Sequence, residues 1–150
     1  MYCLGKGIFF LSKKVIDRFS NPRNVGVIEN PNGVGYLCDP SNGIDLELYI
    51  RVKDNIITDA KFKAFGCVTT IAIVSMVSEM LEGRSIEQAL NVSDKEIVEA
   101  LGGLPSSKMH YSGLGHELIQ SAVNDFIQKE GLACPQKVNH PFHSYTIVAN

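Results

Sequence analysis

The stretch Asp59-Ala60-Lys61-Phe62-Lys63-Ala64-Phe65-Gly66-Cys67-Val68-Thr69-Thr70-Ile71-Ala72 changes its hydrophobic period halfway along. Before Gly66, Ala60, Phe62 and Ala64 alternate with Asp59, Lys61 and Lys63, the two-residue repeat of a half-buried strand. From Val68 to Leu81 the chain is apolar nearly all round, as in a helix buried at the centre of a domain. Cys67 therefore stands where a strand ends and a long helix begins. A thiol there meets the unpaired N–H groups of the first helical turn and the positive end of the helix dipole. Both favour thiolate, the form that binds metal or carries sulfur.

Upstream, Leu46 to Val52 alternates in the same way, and Lys53-Asp54-Asn55 supplies a turn, so the two segments predict an antiparallel hairpin. Asn30-Pro31-Asn32-Gly33 is a turn signal, Val34 to Cys38 reads as a strand, and Asp39-Pro40-Ser41-Asn42-Gly43 as a tight loop. Ser12 is placed to cap a short first helix over Lys13 to Phe19, which Asn21-Pro22 breaks. Downstream, Gly83 ends the central helix. Ser85-Ile86-Glu87-Gln88 and Ser93-Asp94-Lys95-Glu96 both read as capping boxes. After a break at Gly102-Gly103-Leu104-Pro105, the last helix runs from Lys108 or later to Glu130, with Gly131 as its stop. Strands come first and helices afterwards, which predicts an α+β fold, a small antiparallel sheet with helices packed on one face. One domain is expected over residues 1–131, followed by an irregular tail over 132–150.

The chain has 150 residues, 45% hydrophobic and 20% charged, with a net charge of −2. That balance argues against nucleic acid as a partner, since no basic surplus is present to neutralise phosphates. The apolar run Gly7 to Leu11 is too short to span a bilayer, and no small-residue cleavage site follows it. The four cysteines, Cys3, Cys38, Cys67 and Cys134, form no CxxC pair and no dense disulfide rhythm. A cytoplasmic protein with free or metal-bound thiols is the expectation.

Three stretches together resemble the IscU/NifU-type iron–sulfur cluster assembly scaffold family. They are Lys14 to Gly26, which contains Asn21-Pro22-Arg23-Asn24-Val25-Gly26; Asp59 to Ala72, with its Gly-Cys; and Leu104-Pro105-Ser106-Ser107-Lys108-Met109-His110. Their order and spacing agree with the family over about Lys13 to Lys129, without the insertion of its zinc-bearing sulfur-acceptor branch. The resemblance implies a three-stranded antiparallel sheet with helices on one face. It also implies a protein, not an enzyme, that accepts sulfur from a cysteine desulfurase and assembles a [2Fe–2S] cluster. In the family three cysteines, an aspartate and a histidine at one end of the molecule do this work. Thiolates are soft ligands for iron or zinc, and an oxygen or imidazole donor exchanges more readily.

Carried over position by position, Cys67 matches the second family cysteine and His110 the histidine. Asn42 stands where the first cysteine belongs, Ile44 where the aspartate belongs, and Tyr111 where the third cysteine belongs. Cys38, Asp39 and Asp45 are nearby substitutes, although Asp45 begins a strand and a one-residue slip points a side chain to the other face. The candidate ligand set is therefore Cys67, His110 and Cys38 with Asp39 or Asp45. Against it stand ordinary roles: Cys38 as a packed strand residue, Asp39 as a turn aspartate before Pro40, Asp45 as a solvated charge. Tyr111 is a lesser candidate as a phenolate. Cys3 and Cys134 read as bystanders, and His140 and His143 have metal-like spacing in the tail.

Three functions follow. The first is a divergent scaffold binding iron or a [2Fe–2S] cluster, with a desulfurase, a chaperone and a second scaffold subunit or copy as possible partners. The second is a cluster-free module that keeps the fold to bind a desulfurase or another scaffold subunit. The third is a persulfide carrier or zinc-site protein using Cys67 with Cys38. Ser106 and Ser107 depart from the family's usual chaperone-docking segment.

Overall fold

A computed structural model describes residues 11–130. Cys3, Cys134, His140, His143, the expected stop at Gly131 and the tail lie outside the described residues.

Helix α1 spans Lys13–Ser20, and Ser12 caps it as expected, its Oγ accepting from the Val15 N–H at 3.1 Å. The same hydroxyl donates to the Leu101 carbonyl, joining the helix start to a distant turn. Strands β1 (Gly33–Asp39), β2 (Ile44–Lys53) and β3 (Ile56–Phe65) form one antiparallel sheet in chain order. Asp54 and Asn55 join β2 to β3 with φ of 52° and 64°, the paired left-handed geometry that matches strand twist in a two-residue hairpin.

The register sorts the side chains onto two faces. Leu37, Leu46 and Ala64 share a row; Gly35, Leu48 and Phe62 the next; Gly33, Ile50 and Ala60 a third. These rows form the core face, where Leu46, Leu48, Ile50, Ala60 and Phe62 are buried. The opposite face carries Tyr36, Glu47 and Lys63 in one row and Cys38, Asp45 and Phe65 in another.

Helix α2 (Val68–Leu81) packs against β3, and only Ile71, Glu79 and Met80 along its length are not buried. Helices α3 (Ile86–Leu90), α4 (Asp94–Ala100) and α5 (Ser112–Lys129) follow. Helix α5 lies on β1 at two glycines: a Cβ on Gly35 would stand 2.7 Å from both the Leu118 carbonyl oxygen and the Ala122 nitrogen. It also covers the edge of the sheet. The Val34 N–H donates to Asp125 Oδ2 at 2.8 Å and the Tyr36 N–H to Ser121 Oγ at 3.0 Å, so two outward N–H groups of β1 are satisfied without a further strand.

The Asn-Pro-Arg-Asn stretch ties three elements together. The Arg23 N–H donates to Ser75 Oγ and its guanidinium to Asp17, while Asn24 Nδ2 donates to Glu82, the residue that ends α2. Asn24 and Gly26 also bond the backbone of Phe62, seating this stretch along β3. Its signature residues are structural fasteners. One expectation changes: Ser85 and Gln88 form a complete capping box, but at α4 only the Ser93 half is made. Arg84 takes the Glu96 carboxylate at 2.6 Å, drawing it toward an ion pair. Among the described residues no helix is long and apolar enough to cross a membrane.

Candidate functional site

Three chain segments meet at one end of the sheet. The β1–β2 turn is there by construction. The register puts Cys38, Asp45 and Phe65 in its neighbouring row, so the β3–α2 junction at Cys67 lies at the same end. Helix α5 runs against β1 with Phe126 beside Gly33 and Leu118 beside Gly35, so its first turn points back toward that end. A 3-10 segment, Ser106–Tyr111, leads into α5 and packs against α2 and α5.

Cys67 is the N-cap of α2, with φ −78° and ψ 173°, and its carbonyl accepts the Ile71 N–H. Its side chain makes no capping bond. The sulfur instead lies 3.3 Å from Thr70 Oγ1 and remains partly exposed. Thr70 also explains the preceding glycine: a Cβ on Gly66 would meet the Thr70 side chain at 3.0 Å. The Gly-Cys-x-x-Thr corner is thus a packed unit presenting sulfur at the positive end of a long helix. Sequence reasoning missed Thr70; the signal was a hydroxyl one turn along from the cysteine, on the same helical face.

His110 is exposed on the 3-10 segment, before the last helix begins. Its ring stacks on Tyr111 at 4.0 Å between centroids, and Lys108 Nζ lies 5.5 Å from the Tyr111 ring centroid. Tyr111 packs its ring partly against the core.

The β1–β2 turn is closed on itself. Pro40–Asn42 forms a 3-10 turn that Gly43 ends in the left-handed region at φ 65°. Asp39 Oδ1 accepts the Ser41 N–H at 3.2 Å and the Ser41 hydroxyl at 2.6 Å, while Oδ2 accepts Asn42 Nδ2 at 2.6 Å. These bonds, Ser41 first and Asn42 next, hold the Asp39 carboxyl below the usual carboxylate range. Asp39 serves the turn, and Asn42 faces back into it.

Ile44 is buried in the core, whereas Asp45, one residue on, is exposed on the opposite face. Cys38 is buried beside Asp45. Burial raises its thiol above the ordinary range, and the Asp45 and Asp39 carboxylates push it further. Cys38 and Phe65 are two strands apart in one row, about 10 Å between Cα atoms. Cys67 is two residues beyond Phe65, past the end of β3 and at the start of α2. Among the described residues no three His, Cys, Asp or Glu side chains converge as a metal site. The donors kept at family positions are one thiol and one imidazole, fewer than the four protein ligands of a [2Fe–2S] cluster.

Fold and corner together define an α+β domain that carries a thiol at a strand-to-helix junction. The model of the NifU-like N terminal domain matches residues 11–133, and the chain belongs to this family of IscU/NifU-type scaffolds. It is 48% identical over 120 residues to "Iron-sulfur cluster assembly scaffold protein IscU 1" of Archaeoglobus fulgidus, covering 80% of this chain and 78% of the relative. It is 45% identical over 125 residues to the scaffold protein IscU of Aquifex aeolicus, covering 82% and 80%. A crystal structure of a NifU-like protein (N-terminal) from Brucella abortus superposes with a TM-score of 0.64 at 14% identity, over 81% of this chain and 95% of that one. This last likeness concerns the fold.

Proposed function

We propose that this chain is an iron–sulfur cluster assembly scaffold, a carrier and not an enzyme, in which Cys67 is the thiolate that takes iron or sulfur. The observation that carries this is the Gly66-Cys67 corner, kept within a sequence that is 45–48% identical to proteins named as such scaffolds. His110 is the second donor, since the 3-10 segment delivers an exposed imidazole to the same end of the sheet. Sulfur would come from a cysteine desulfurase, and the cytoplasm is the compartment this reading implies. Anaerobic treatment with iron and sulfide is expected to give visible cluster absorption that Cys67→Ala abolishes. A colourless product free of iron would refute the reading.

A second reading, a cluster-free docking module, is favoured by one observation. The three substituted positions are each committed elsewhere: Asn42 to Asp39, Ile44 to the core, Tyr111 to packing. Retention of a desulfurase by metal-free protein would support that alternative. The sharing of a site by Cys67 and Cys38 gains no support from the register. Cys67 alone remains as a sulfur acceptor, detectable as a mass increase of one sulfur atom on its peptide.

A further inference from the structure

At a helix N-cap, a polar side chain ordinarily turns inward and accepts a backbone N–H two or three residues on. The Cys67 sulfur makes no such bond, although Thr69 and Thr70 stand at those two positions of α2. It lies instead 3.3 Å from the Thr70 hydroxyl, one turn along the same helical face. Thr70 is fully buried, whereas Cys67 is partly exposed. A buried hydroxyl needs a partner, and here that partner is the sulfur. The hydroxyl's direction is fixed from behind. A Cβ on Gly66 would stand 3.0 Å from Thr70 Cγ2 and 3.6 Å from Oγ1, so the methyl faces the glycine and the oxygen is turned to the sulfur. A β-branched side chain on a helix has few rotamers, and this packing selects the one that meets Cys67.

We propose that Thr70 is the positioning residue of this site: its O–H donates to the Cys67 sulfur and holds it away from the helix end, facing an incoming sulfur donor. This deepens the scaffold reading, on which it rests. Either atom can donate while Cys67 is a thiol, but a thiolate only accepts, so in the reacting form the hydroxyl is the donor. Without the hydroxyl, the sulfur is released to the first-turn N–H groups, where the positive helix end draws a thiolate and the backbone occupies its lone pairs. In the transfer, the Cys67 thiolate attacks the outer sulfur of a persulfide. One S–S bond forms at Cys67, the donor's S–S bond breaks, and the donor thiol leaves as thiolate, so no oxidant or reductant enters. Attack runs in line with the breaking bond, and a sulfur held at one angle keeps that line open.

The test uses the full, reduced, metal-free chain at one fixed pH, with glutathione persulfide as the sulfur donor and, separately, iodoacetamide. Peptide mass spectrometry reads the rate of each reaction at Cys67. Thr70→Val keeps the branched shape and removes the hydroxyl; Thr70→Ser keeps the hydroxyl and removes the methyl. Valine is expected to slow both reactions roughly fivefold, the rate equivalent of one ordinary hydrogen bond, while serine stays within about twofold of the wild type. Thr69→Val, which removes the neighbouring buried hydroxyl, leaves both rates unchanged. A residue that only packs gives the reverse order, valine like the wild type and serine impaired. That order, or valine and serine equally slow, overturns the positioning role; the scaffold reading stands if the wild type still assembles a cluster from iron and sulfide. A wild-type chain that takes neither sulfur on Cys67 nor a cluster overturns both. Should Thr70→Val lose the circular dichroism of the fold, Thr70→Ala read against Thr70→Ser decides in its place: alanine slow and serine fast upholds the role, both slow overturns it.

Discussion

Replacing Gly35 by alanine tests the contact that aims the His110 segment at the site. The new Cβ would stand 2.7 Å from the Leu118 carbonyl oxygen and the Ala122 nitrogen and 3.0 Å from the Ala122 Cβ. The two nearest neighbours are helix backbone, which cannot rotate aside, so α5 must move off β1. Overpacking of this kind costs typically about 1–3 kcal/mol. The displacement also lengthens two bonds that close the edge of β1, Tyr36 N–H to Ser121 and Val34 N–H to the Asp125 carboxylate. A neutral bond contributes about 1 kcal/mol and one to a charged group about 1.5–3. A loss of about 3 kcal/mol or more is expected, a large share of the roughly 5–15 kcal/mol that holds a domain of this size.

The control is Gly113→Ala. Its Cβ would have only Asp94 Oδ2 within 4 Å, at 3.7 Å, an ordinary contact. Alanine also favours helix over glycine, so the net cost is small. Urea denaturation followed by circular dichroism, under reducing conditions, reads both midpoints with the slope unchanged. If Gly35→Ala destabilises no more than Gly113→Ala, the seating of α5 on β1 is not as described. The reasoning that places His110 at the site then fails with it.

Two further outcomes follow from the site. The Asp39 carboxyl is held low by Ser41 and Asn42, so its folded value lies below its unfolded one. Its contribution is therefore complete above the unfolded value near pH 4 and is lost as pH falls through the depressed one. Asp39→Ala should lower the denaturation midpoint at pH 7, and the gap from wild type should close as pH drops below about 4; a gap constant with pH would contradict this. Alkylation separates the thiols: with iodoacetamide at pH 8, the Cys67 peptide should be modified well before the Cys38 peptide, which is buried with its thiol raised. Equal rates by peptide mass spectrometry would count against the placement of Cys38.

The elements themselves were legible because their signals are local. The alternation from Ala60 to Ala64, the all-round apolarity of Val68 to Leu81 and the caps at Ser12 and Ser85 each act within a few residues. The second capping box failed where a distant residue competed: Arg84 claims the Glu96 carboxylate across an intervening helix. The candidate site was legible only in part. The flip at Asp45 could be argued from strand period, and Ile44 is buried as that argument requires. That Cys38 shares a row with Phe65 across β2 could not, since it depends on the strand order.

What the amino-acid order determined by itself was the set of elements, the α+β class, the family and the position of Cys67 at a strand-to-helix corner. Periodicity, capping and motif spacing are properties of neighbouring residues, so they survive without coordinates. Only the tertiary structure decided that Cys38 is buried beside Asp45 on the outer face, in one row with Phe65. It alone showed Phe65 left in solvent beside the thiol. Those outcomes depend on register and on how α5 seats against two glycines, contacts between residues far apart in the chain, which form when the sheet and its helices close on one another.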